Sequence, residues 1–194
     1  MNRSRPPRSA RAGVAALEFA LFLPVAALAM LATADLVSYM RVRLVVDETA
    51  MELASDVTQY RALYDSDIPA LFAAAQTLAG ATPVTGALGA TIVSCVFNAG
   101  SGPAIAWREQ TGNPGFASRI GAVGGAPTLP DGYAVPVNQS LIVTEIYTTA
   151  TAWVLAAGFM GSAGSGALYG YSMQQPRLAL LSRVAPGNRP PAGP

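Results

Sequence analysis

The 21 residues from Val14 to Ala34, VAALEFALFLPVAALAMLATA, carry a single charge, Glu18. At ~1.5 Å rise per residue such a run is about long enough, as a helix, to cross a hydrocarbon core of ~30 Å. Before it stand Arg3, Arg5, Arg8 and Arg11 with no acid; after it come Asp35, Asp47, Glu48, Glu52 and Asp56. Excess positive charge is retained on the cytoplasmic side, so the asymmetry predicts a single-pass inner-membrane protein with its N-terminus inside and the bulk of the chain in the periplasm. Glu18 is the anomaly. A carboxylate at the centre of a membrane helix costs ~2.5–3.5 kcal/mol on insertion scales, and no arginine of the chain falls within the apolar run. One partner is a free amino terminus, made by cutting after Gly13 and offered by a neighbouring subunit.

The stretch Gly13-Val14-Ala15-Ala16-Leu17-Glu18-Phe19 resembles the processing site of type IV prepilins, specifically the TadE-like pseudopilins of the tight-adherence (Tad) system. The arginine-rich leader, Arg11 and Gly13 before the cut, and Pro24 in the helix share the resemblance. It implies cleavage after Gly13 by a prepilin peptidase, with Val14 as the new N-terminus. It also implies assembly roles for Glu18, fifth in the mature chain, and for the aromatic Phe19 after it. The implied partners are the prepilin peptidase, other pilin or pseudopilin subunits, the lipid bilayer and, indirectly, the assembly platform and its ATPase; the implied destination is the inner membrane or an extracellular pilus. Two other readings stay open. Ala32-Thr33-Ala34 is an acceptable signal-peptidase site, which would release a periplasmic binding or sensing module starting at Asp35, although the apolar run exceeds the usual 7–15 residues. A plain signal anchor is the other.

Beyond Ala34 the pattern becomes amphipathic. Tyr39, Val42, Val46, Ala50, Leu53, Val57, Tyr60 and Tyr64 recur at steps of three or four, one face of a helix. One helix from the membrane to about Leu63 is the simplest expectation. Asp65-Ser66-Asp67 breaks it, with Ser66 or Asp67 capping a second helix from near Pro69 to Gly80. From there the texture is β: 90–97 (ATIVSCVF), a turn at 98–103, a return strand at 104–110, an irregular loop over 111–134, a strand at 137–147, and a last one at 168–173. Residues 148–160 fit a short helix or an apolar loop. The TadE-like resemblance extends here through Val143, Glu145 and Tyr147, and through Pro176-Arg177.

The expected fold is therefore α+β and pilin-like, a long N-terminal helix on a small antiparallel sheet. Residues 1–13 form the leader, 14–34 the transmembrane segment, 35–80 the amphipathic and second helices, 81–183 the head, and 184–194 a disordered tail.

Composition narrows the function classes. The chain has no histidine and one cysteine, Cys95. That excludes a Ser-His-Asp triad, a Cys-His pair and an intrachain disulfide, and it removes the commonest metal ligand. A net charge of +1 speaks against an electrostatic nucleic-acid partner. No cofactor motif is present: GAVGG at 121–125 lacks the Lys-Ser/Thr of a phosphate loop. A non-enzymatic, structural protein is expected, with Cys95, Trp107 and Trp153 as core residues and Glu145 as a solvent-facing or hydrogen-bonded strand residue.

Overall fold

The computed structural model describes residues 8–151, 165–178, 180–181 and 184–190. They divide between two compact units, Met1–Met40 with Thr151–Ser165, and Arg41–Ala150 with Gly166–Pro194. In the first, the described chain is almost entirely the N-terminal portion of helix α1 (Arg8–Val57). Pro24 lies inside α1, where it supplies no backbone N–H to the helix.

The second unit is an α+β head. Its sheet has the order β3-β2-β4-β5, built from β2 (Gly89–Asn98), β3 (Pro103–Gly112), β4 (Ser140–Thr151) and β5 (Ser165–Gln174). β2 pairs antiparallel with both β3 and β4, so Ile92 faces Gln110 on one side and Glu145 on the other. β2 and β4 lie between other strands with both faces covered, which explains their continuous apolar texture. A bulge between Cys95 and Val96 skips Ala106 in the β3 register. It leaves Trp107 facing the helices and Ile105 facing the other side.

One face of the sheet carries the helices. Val46, Ala50, Leu53 and Val57 of α1 join Leu71, Ala75 and Ala79 of α2 (Ile68–Ala79) over Val93, Cys95, Trp107, Ile142 and Ile146. These α1 residues belong to the stripe read from the sequence. Gly170 of β5 permits the close approach of α1, since a Cβ there would lie 2.7 Å from Val46 Cγ1. α2 begins and ends near where the sequence places it, with Pro69 in its first turn and Gly80 as C-cap at φ 59°, but Asp67 at its N-cap makes no side-chain capping bond, its carboxylate being taken by Tyr64 N–H and Arg189.

The other face is covered by the irregular segment 113–139, whose Ile120 and Val135 fill the space over Val96, Ile105, Leu141 and Val143. Its backbone is held by Gly124 N–H donating to Ile105 O (2.8 Å), Ile105 N–H to Gly125 O (3.0 Å) and Asn138 N–H to Asn98 O (2.7 Å). Asn98 Nδ2 adds a bond to Val135 O (2.8 Å).

Three expectations are corrected. α1 ends at Val57 rather than near Leu63; the chain turns after it, and Leu63–Tyr64 is extended as β1, paired in parallel with β6 (Val184–Ala185). Residues 184–190 are accordingly not a disordered tail: β6 is laddered, and Arg189 forms an ion pair with Asp67. Thr148 to Thr151 extends β4 rather than starting a helix or loop. The remainder of 148–160, with Trp153, lies outside the described residues, as do 191–194.

Candidate functional site

The residues singled out in the N-terminal region all lie on α1. Gly13 and Val14 are helical, and Val14, Glu18 and Phe19 are exposed, Phe19 at 64%. Glu18 has Val14, Ala15, Leu21 and Phe22 as its neighbours three and four residues away, none able to pair with a carboxylate. It has no hydrogen-bond or ion-pair partner among the described residues. α1 contains a stretch long and apolar enough to cross a membrane, with a peak mean hydropathy of 2.3 and none of that window buried. Leu17, Leu21, Phe22, Leu23, Val25 and Met30 are each more than half exposed. An apolar surface on every side of one helix suits lipid or other helices rather than water.

The head holds a second carboxylate that stands apart, Glu145. Strand alternation places it between Val143 and Tyr147 on the face away from the helices, and it is fully buried. Its oxygens accept from Ser118 Oγ, from Arg119 N–H (2.9 Å) and from Tyr169 Oη (3.1 Å). Tyr147 Oη lies 3.3 Å away, but its proton has a shorter acceptor in Ala117 O, at 2.8 Å. The donors come from the irregular segment and from β5, so one carboxylate ties the covering segment to two strands. Phe116, Tyr147, Tyr169 and Tyr171 follow one another at centroid separations of 5.2, 5.0 and 5.8 Å, the outer pairs stacked and the middle pair tilted. The Arg119 guanidinium sits 4.0 Å from the Tyr169 ring centre.

Burial, then the charge of Glu145, pushes the Tyr147 phenol up to about 12 and the Tyr169 phenol higher still. Arg108, whose Nε donates to Ser94 Oγ at 2.9 Å, is lowered by burial, with Glu145 opposing that shift. Its Nη2 is buried without a partner among the described residues. With its acceptor positions filled by protein donors and no exposed surface, Glu145 is placed to hold structure rather than to meet a substrate. Among the described residues no group of three or more His, Cys, Asp or Glu side chains could hold a metal. Cys95 is buried beneath the helices, its thiol pushed up to about 12 by desolvation, which keeps it in the protonated, unreactive form.

Sequence reasoning found Glu18 and the possibility that Glu145 is hydrogen-bonded. It missed Ser118, Arg119 and Tyr169, which no local pattern connects to Glu145. Comparison with protein-family models, curated proteins and solved structures gives no match for this chain.

Proposed function

We propose that this chain is a pseudopilin-like subunit of a Tad-type pilus assembly system. Residues 14–34 anchor it in the inner membrane with the head outside, and a prepilin peptidase removes residues 1–13. Its apolar helix then joins those of other subunits, where Glu18 neutralises the α-amino group of a neighbour's Val14 and sets the register between them. The observation that carries this reading is Glu18 itself: a carboxylate, fifth from Gly13, on an uncovered apolar helix and without a partner among the described residues. Such a charge is costly in lipid and is retained where a partner or a function compensates it.

Mass spectrometry of the intact protein from the membrane fraction tests the processing. A mature chain starting at Val14 is expected. A soluble chain starting at Asp35 would replace this reading with a secreted periplasmic module, and an uncut chain in the membrane would make it a plain signal anchor. Glu18→Ala tests the assembly role: insertion into the membrane is expected to be unchanged while pilus formation is lost, and normal pili in that variant would refute the role.

A further inference from the structure

The corner between α1 and α2 forms a box around one side chain of the C-terminal segment. Arg189 Nε and Nη2 donate to Asp67 Oδ1 and Oδ2 at 3.0 and 2.8 Å, the two-pronged geometry in which guanidinium and carboxylate match best. Nη2 also donates to Ala62 O at 3.2 Å, and the guanidinium carbon stands 4.9 Å and 5.7 Å from the ring centres of Tyr60 and Tyr64. Arg189 N–H donates to Ser66 Oγ at 3.0 Å, so the backbone of the arginine is read as well as its head. Upstream, Gly187 N–H donates to Asp65 Oδ2, and Val184 and Ala185 ladder onto Leu63 and Tyr64.

Receptor and occupant differ in how firmly each is built in. The Asp67 side chain is 12% exposed, against 45% for Arg189. Asp67 Oδ2 also accepts from Tyr64 N–H at 2.9 Å, so its orientation is fixed from its own side of the box. The segment contributes half-buried Val184 and Ala185, and exposed residues from 186 to 190. Among the described residues the nearest fully buried anchor is Leu181, whose carbonyl accepts from the Trp107 indole. Departure of the occupant therefore uncovers Val184 and its partner Leu63 at the edge of the core, whereas Asp67 stays held by Tyr64 N–H.

We propose that Tyr60, Ala62, Tyr64, Ser66 and Asp67 form a receptor for an arginyl segment, filled in cis by residues 184–190 and able to accept the same segment from a second copy of the chain. Every copy carries both halves, the condition for exchange of an element between protomers. A short tether presents its ligand at an effective concentration on the order of mM, so the cis form dominates in dilute solution and exchange grows where copies are crowded. This inference does not depend on the pilus reading.

The test uses the full chain in detergent micelles and a dye-labelled peptide of residues 184–190 (VAPGNRP), followed by fluorescence polarisation. Arg189→Ala empties the box, and that chain is expected to bind the peptide about tenfold more tightly than the wild type, in which the tethered segment competes. Adding Asp67→Asn is expected to abolish binding, as is placing Arg189→Ala in the peptide instead. A chain ending at Arg183 serves as a second open receptor, in case β6 stays docked in the Arg189→Ala variant. The proposal is overturned if both variants fold and neither binds, or if wild type and variant bind equally. It is also overturned if neither variant folds, because the segment is then integral rather than exchangeable.

Discussion

Gly170→Ala tests how α1 is seated on the sheet. The added Cβ would stand 2.7 Å from Val46 Cγ1, 2.7 Å from Asp47 Oδ1 and 3.2 Å from the carbonyl carbon of Val46. Comfortable carbon–carbon contact is about 3.5–4.0 Å. The Asp47 carboxylate is exposed and can swing aside. Val46 cannot, being fully buried in the core cluster, and its backbone belongs to the helix. The helix must therefore shift by a large fraction of an ångström, and over-packing of this kind costs about 1–3 kcal/mol. The same shift would strain the bonds from Arg43 Nη1 to Tyr169 O (2.9 Å) and from Gln174 Nε2 to Met51 O (3.1 Å). Gly166→Ala, in the same strand, is the control: its Cβ meets nothing within 4 Å, so it should be neutral or slightly stabilising. Urea denaturation followed by tryptophan fluorescence reports on the head. With urea m values of about 1–3 kcal/mol/M, the Gly170 variant should lower the midpoint by on the order of 1 M. A midpoint unchanged from wild type would refute the close packing of α1 on β5; an equal loss in the Gly166 variant would refute the steric explanation.

Glu145→Ala should destabilise the head by about 1–3 kcal/mol, since it strands part-buried donors from Ser118, Arg119 N–H and Tyr169, while Glu145→Gln, which keeps the shape and one acceptor, should cost less than half as much; equal denaturation midpoints for the two would exclude the hydrogen-bond account. The folded head holds the protons of Tyr147 and Tyr169 above their usual value near 10, so their contribution to stability is complete below pH 10, and that of Tyr147 is lost as pH rises from 10 through about 12, with Tyr169 following at higher pH. Ionisation of Tyr147 and Tyr169, followed residue by residue by NMR, should thus accompany loss of fold in an alkaline titration, and ionisation of either near pH 10 in a folded head would contradict the burial of its ring. Cys95 should resist a thiol reagent at pH 8 until denaturant is added, and rapid labelling of the native protein would show that the helices do not cover it.

What the sequence made visible was whatever repeats locally. The run ATIVSCVF announced β2 because a strand covered on both faces needs no polar alternation. The stripe from Val46 to Val57 announced the seat of α1, and Pro69 with Gly80 bracketed α2. Glu18 stood out because nothing around it is polar. The end of α1 was hidden because no residue near Val57 forbids a helix, and the partner of the extended Leu63–Tyr64 that follows lies more than a hundred residues later in β6. The covering segment 113–139 was illegible for a related reason. It enters the core through single residues such as Ile120 and Val135, and isolated anchors produce no period. Glu145 could be put on a face by alternation, but its three donors come from distant positions that no pattern connects to it.

The pairing of β1 with β6 also bears on the order of folding. Leu63 finds Val184 as its strand partner, and Trp107 finds the carbonyl of Leu181. Both contacts close long loops, and long-range closures of this kind slow the approach to the native state. While residues 181–189 are still unmade, the corner after α1 lacks its partner strand and the Trp107 indole lacks its acceptor. Completion of the head thereby waits on residues 181–189, so the corner after α1 and the edge of the sheet at Trp107 close together in one step.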